Sequence, residues 1–90
     1  MPLVMVVDDD QDLAEMLSIV LTAAGMEVDL VNRGDQVMDL FNTNPPDLIL
    51  LDVMLPGIDG IEVCKIIRES SMVPIAVSYT HLTLPTKRIV

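Results

Sequence analysis

The sequence predicts an α/β fold, a parallel sheet with helices on its faces. Three observations carry this. Apolar runs alternate with segments of helical spacing through residues 1–76. The runs "LVMVV" and "DLILLDV" are nearly continuous in apolar residues, as suits strands covered on both sides. Both of these runs close on aspartate. Alternation of this kind builds βαβ units, and hence parallel strands.

Taken in order, residues 3–7 form a first strand, closed by three aspartates. Leu13, Met16, Leu17, Val20, Leu21 and Ala24 then recur at helical spacing, and Gly25 ends them. Asp10 is placed to cap that helix, with Asp12 and Glu15 favourable near its positive end. "MEVDLV" (26–31) reads as a second strand, and 34–42 as a short helix around Val37, Leu40 and Phe41. "NTNPP" breaks the chain, because neither proline suits a helix interior.

The third strand spans 47–53, and Pro56-Gly57 suits the centre of a type II turn. Asp59 and Glu62 resemble a capping box opening a third helix through about Glu69, with Ile61, Cys64 and Ile67 on its inner face. "MVPIAV" (72–77) begins a fourth strand.

Composition narrows the function. The 90 residues are 51% hydrophobic and 21% charged, which describes one small core-forming domain or part of a larger one. All 14 acids but only three bases (Arg33, Lys65, Arg68) fall before residue 77, a balance of −11. That argues against direct nucleic-acid or anionic-membrane binding, which need basic patches. It permits a cation or a basic partner. The single cysteine, Cys64, excludes an internal disulfide and reads as core packing. The start "MPLVMVVDDD" has no basic n-region and its apolar run is short, so a cytoplasmic location is expected. Nor does a glycine-rich dinucleotide fingerprint follow the first strand.

A parallel sheet of this type binds ligands beyond the carboxyl ends of its strands, where strand order reverses. If the first and third strands are neighbours, Asp8, Asp9 and Asp52 converge there. Gathered carboxylates repel one another, and a hard divalent cation with oxygen ligands, Mg²⁺ above all, relieves the repulsion. Capping and solvation are the simpler roles, and they suit Asp10, Asp12, Asp47 and Asp59.

"VVDDD", "PPDLILLDVMLPGIDGIEVCKIIRES" and "VPI", in this order, resemble the receiver domain of bacterial two-component response regulators over residues 3–76. The resemblance implies a flavodoxin-like, doubly wound sheet of order 2-1-3-4-5, here truncated after strand 4. It implies that a sensor histidine kinase donates a phosphoryl group to Asp52. Asp9, Asp52 and the backbone carbonyl of Met54 would hold Mg²⁺, with Asp8 assisting through the metal's waters. The "MLPG" loop points to a DNA-binding output domain in the intact protein. The chain is then a phosphoacceptor that assists its own phosphoryl transfer, and not an enzyme. Two other readings compete. One is an interaction module that is never phosphorylated. The other is a phosphohydrolase using Asp52, disfavoured because residue 54 is Met where a second acid would be wanted.

The ending "VSYTHLTLPTKRIV" has no acid and departs from the family. The switch hydroxyl expected five places after Pro74 falls on Tyr79, and Ser78 is one place early, which turns its side chain to the other strand face. Lys87 follows Pro85 instead of preceding a proline. Neither Ser78 nor Lys87 is assigned a role, and none is read into His81. The segment resembles a translated adapter of transposase-based sequencing libraries. The expected organisation is a partial receiver at 1–76 and an artefactual tail at 77–90.

Overall fold

The computed structural model describes residues 1–52 and 60–78. Four parallel strands form one sheet in the order β2-β1-β3-β4. The elements are β1 (Leu3–Val7), α1 (Gln11–Ala23), β2 (Glu27–Val31), a 3₁₀ turn (Gly34–Gln36) running into α2 (Val37–Thr43), β3 (Leu48–Asp52), α3 (Gly60–Arg68) and β4 (Ile75–Ser78). This is the parallel sheet expected of the strand–helix alternation, in the doubly wound strand order that the resemblance implied. Among the described residues, no helix is long and apolar enough to cross a membrane.

β1 is buried along its whole length, which explains its unbroken apolar run. Alternate residues serve opposite faces. Met5 and Val7 join Ile49 and Leu51 beneath α2 and α3, in a core completed by Val37, Phe41, Val63 and Ile67. Val4 and Val6 face α1, where Ala14 is buried and Leu17 and Leu21 are half-buried against them.

Local chemistry sets the helix ends. Asp10 is the N-cap of α1, its Oδ1 accepting the Leu13 N–H at 3.1 Å. At the other end Gly25 takes φ +92°. Its N–H donates to the Thr22 carbonyl at 3.0 Å, and that of Met26 to the Leu21 carbonyl at 3.1 Å. This paired closure needs a left-handed residue, and glycine adopts one without a Cβ penalty. Asp47 does more than solvate its loop: its Oδ2 accepts the Leu3 N–H at 2.8 Å, tying the entry of β3 to that of β1.

The apolar positions that recur along α1 divide: Leu17 and Leu21 meet the sheet with Ala14, while Met16, Val20 and Ala24 are exposed. Other expectations are corrected. On α3, Ile61 is exposed while Val63 is buried with Ile67, Cys64 being only half-buried. Gly60 is the buried first residue of that helix. β4 starts at Ile75 and not Met72, because Pro74 has no N–H to donate to the ladder. Its carbonyl accepts the Ile49 N–H at 3.0 Å just before the strand begins. The Pro56-Gly57 turn, Asp59, Val53, Met54 and the tail from Tyr79 onward lie outside the described residues.

Candidate metal and phosphoryl site

The chain leaves β1, returns through α1 to β2 on one side, then crosses through α2 to β3 on the other side of β1. Strand order therefore reverses between β1 and β3. Their carboxyl ends lie level, since Val7 is in register with Leu51. A crevice at this point is where an open α/β sheet places its ligand.

Three consecutive aspartates follow β1 and do different things. The Asp8 N–H donates to the Val31 carbonyl at 2.9 Å, extending the β1–β2 ladder by one residue. Asp8 is buried, and its Oδ1 accepts the Asp10 N–H at 2.9 Å, bracing the turn into α1. Asp9 is exposed and Asp10 caps the helix. The strand end thus delivers two carboxylates to the crevice and spends the third on α1.

Asp52 arrives from the facing strand. It is the last residue of β3, 1% exposed, and in register with Ser78 of β4. Carboxylate oxygens of Asp8, Asp9 and Asp52 lie within 4.8 Å of one another. The structure therefore brings together the three acids that the sequence singled out. Two of them are withdrawn from water, where mutual repulsion is weakly screened. The donor set suits a hard cation: oxygen ligands only, with one exposed member leaving room for retained waters. The fourth expected ligand, the carbonyl of Met54, lies outside the described residues. Beside Asp8 a cleft of about 290 Å³ opens between Gln11 and Glu15 of α1 and Leu30, Val31 and Asn32 at the end of β2. Gln11 and Asn32 were not anticipated as lining residues; they became visible only once α1 and β2 were placed side by side.

Two described bases are engaged elsewhere. Arg33 pairs with Asp35 at 3.0 Å on an exposed surface, holding the Asp35 carboxyl below its usual range mainly through the side-chain hydrogen bond. Arg68 donates to the Ser71 carbonyl at 3.2 Å.

Comparison with known proteins agrees with this geometry. The sequence profile described as "Response regulator receiver domain" matches residues 4–88. The DNA-binding response regulator MtrA of Mycolicibacterium smegmatis is 49% identical over 72 residues, covering 80% of this chain and 32% of that protein. The chain thus spans about a third of the length of the curated relatives it matches. Among solved structures, the BeF3-activated N-terminal receiver domain of Klebsiella pneumoniae RstA superposes with TM-score 0.81 at 31% identity, covering 88% of this chain and 72% of that one. The response regulator TrrA of Thermotoga maritima, solved with Mg²⁺-BeF, gives TM-score 0.80 at 33% identity, covering 90% and 73%. Profile, relatives and strand order agree: the chain belongs to the response regulator receiver domain family.

Proposed function

We propose that this chain is the N-terminal part of a phosphorylation-dependent signalling switch whose phosphoacceptor is Asp52. The observation that carries the reading is the convergence of Asp8, Asp9 and Asp52 at the strand-order reversal. A carboxylate oxygen of Asp52 attacks phosphorus of a phosphohistidine on a sensor kinase. The O–P bond forms as the P–N bond breaks, and its electron pair returns to the imidazole nitrogen. The chain's contribution is position, since phosphoryl transfer depends on placement and charge neutralisation more than on covalent help. Asp52 is fixed on an inner strand, and the Asp8 turn fixes the opposite wall. Asp8, Asp9, Asp52 and the Met54 carbonyl would hold Mg²⁺, which when bound neutralises charge on the phosphoryl oxygens. The Mg²⁺-BeF complex of TrrA supports that assignment by likeness.

In the intact protein we place a DNA-binding output domain beyond the receiver, as the name of the MtrA relative suggests, and the whole in the cytoplasm. Residues 77–90 remain assigned to a translated adapter, and the chain on its own is expected to be impaired in switching. Resequencing the source DNA across codons 70–90 with adapter-free primers tests this. The frame is expected to run past Ala76 into a native strand end; an unchanged reading through Val90 would instead favour a truncated, non-phosphorylated interaction module.

The direct test of the site is Mg²⁺-dependent labelling of a full-length receiver containing these residues by a small phosphodonor. No labelling would remove the phosphoacceptor reading. Substitution Asp9→Asn should raise the Mg²⁺ dissociation constant at least roughly tenfold, since it deletes a charged ligand where even outer-shell changes cost that much. Calorimetric titration with Mg²⁺ reads this out, and an unchanged constant would take Asp9 out of the site.

A further inference from the structure

β2 stands first in the sheet order, and among the described residues no strand lies beyond it. Its inner side is paired. The Glu27 N–H donates to the Pro2 carbonyl at 2.8 Å, and the Val31 carbonyl accepts the Asp8 N–H at 2.9 Å. Main-chain groups alternate along a strand, so those of Val28 and Leu30 point outward, as a template for another strand. Side chains alternate with the same period. Val28 packs on the core under α1, whereas Val31 joins the core beneath α2 and α3. Glu27 and Asp29 therefore share the α2 face with Val31, and Leu30, 47% exposed, shares the α1 face with Val28.

A cleft flanks the end of this edge on each face, and Leu30 lines both. The α1-side cleft, of about 290 Å³, runs from Leu30 to Ala14 and Glu15. The α2-side cleft, of about 420 Å³, runs from Leu30 to Asp39 and Thr43. The Asn44 amide donates to Asp29 Oδ2 at 3.1 Å, which holds that carboxylate on the α2 side.

Charge selects the occupant. The edge reads Glu27-Val28-Asp29-Leu30, acid and apolar in strict alternation, and Glu15 and Asp39 add acid on either side. Arg33, just past the strand, is held by Asp35 at 3.0 Å. A second copy of the chain, of net charge −9, is a poor partner, because two such edges paired antiparallel set acid against acid. A strand with Lys or Arg opposite Glu27 and Asp29, and Val or Ile opposite Val28 and Leu30, satisfies both faces.

We infer that the outer edge of β2 binds an extended basic segment of a partner protein, in which basic and β-branched residues alternate. Main-chain hydrogen bonds to Val28 and Leu30 hold the segment, and its side chains pair face by face with the edge. The inference is independent of phosphoryl transfer.

The test uses the 90-residue chain and a fluorescent peptide in which Lys and Val alternate, read by anisotropy without Mg²⁺ or a phosphodonor. Binding should be saturable, and the same peptide with Glu in place of Lys should not bind. N-methylation of all the valines, or of all the lysines, tests main-chain pairing. Alternate N–H groups point to opposite sides of a strand, so one series should abolish binding and the other leave it within about twofold. Glu27→Lys and Leu30→Lys, at exposed positions, should each weaken binding about fivefold. Glu27 is level with Leu3, at the other end of β1 from Asp8, so its effect separates the edge from the carboxylate cluster. Glu69→Lys, the same change of charge just after α3, should leave binding unchanged. Absence of binding overturns the inference. So does an equal effect of the two methylations, or equal weakening by Glu69→Lys, either of which would reduce binding to charge attraction. Dimers of the chain that Leu30→Lys dissolves would overturn it too, since a second copy would then hold the edge. Each of these failures leaves the role of Asp52 untouched.

Discussion

Asp52→Asn in a full-length receiver carrying these residues should reduce phosphodonor labelling to background while leaving the fold intact or more stable. The loss follows from chemistry: an amide at this position is nearly the same size but offers no nucleophilic carboxylate oxygen. The preserved fold follows from the surroundings. Asp52 is 1% exposed, and one of its carboxylate oxygens lies within 4.8 Å of one from each of Asp8 and Asp9. Removing one of three like charges from a poorly screened site should raise stability in metal-free buffer by on the order of 1 kcal/mol or more. Added Mg²⁺ should then stabilise the unsubstituted protein more than the variant, because a ligand that binds the native state shifts unfolding by mass action. Labelling with radioactive phosphodonor, alongside urea unfolding with and without Mg²⁺, measures both halves. Labelling that survives in Asp52→Asn would move the phosphoacceptor to another residue. Unchanged labelling together with an unchanged response to Mg²⁺ would take Asp52 out of the site altogether.

The site was legible in the sequence because strand ends are. A buried parallel strand writes itself as a continuous apolar run, so "LVMVV" and "LILL" located β1 and β3 almost to the residue. The acids that close those runs then had to stand at one edge of the sheet. The division of labour within Asp8-Asp9-Asp10 followed in part, Asp10 capping α1 as its place before the helical pattern suggested. That Asp8 would brace the turn by accepting the Asp10 N–H could not be read, because it depends on a side-chain angle and not on spacing.

Helix faces were less legible. α1 carries apolar residues on more than one stripe, so the spacing that joins Leu17 and Leu21 also takes in Met16 and Val20 and does not say which of them is covered. The sheet decided the matter through Ala14, whose small side chain lets the helix approach Val4 and Val6 closely. On α3 the sequence pointed to Ile61, Cys64 and Ile67 as the inner face, whereas the buried set is Gly60, Val63 and Ile67, with a glycine in the first position that a periodicity argument passes over. These errors share a physical origin: spacing shows that a helix is amphipathic, but only its partner shows which stripe is covered.

The remaining large effect concerns the 90-residue chain by itself, which should lack a cooperative, monomeric thermal unfolding transition and should bind an apolar dye. Domains of this size bury a limited fraction of their surface and hold only a few kcal/mol in reserve. Here the core beneath α2 and α3 is well formed, with Met5, Val37, Ile49 and Ile67 fully buried. Among the described residues, the opposite face fully buries just Val4, Val6 and Ala14. Met16, Ile19, Val20 and Leu30 are exposed as well, and apolar side chains left in water favour association. Secondary structure survives such a deficit better than side-chain packing does, because the helices and the parallel ladder satisfy their own backbone groups. Far-ultraviolet circular dichroism should therefore report helix and strand while calorimetry shows a broad or absent heat-absorption peak, with oligomers growing as concentration rises. A sharp, reversible transition from a monomer would instead mean that the core beneath α2 and α3 is enough to stabilise the sheet.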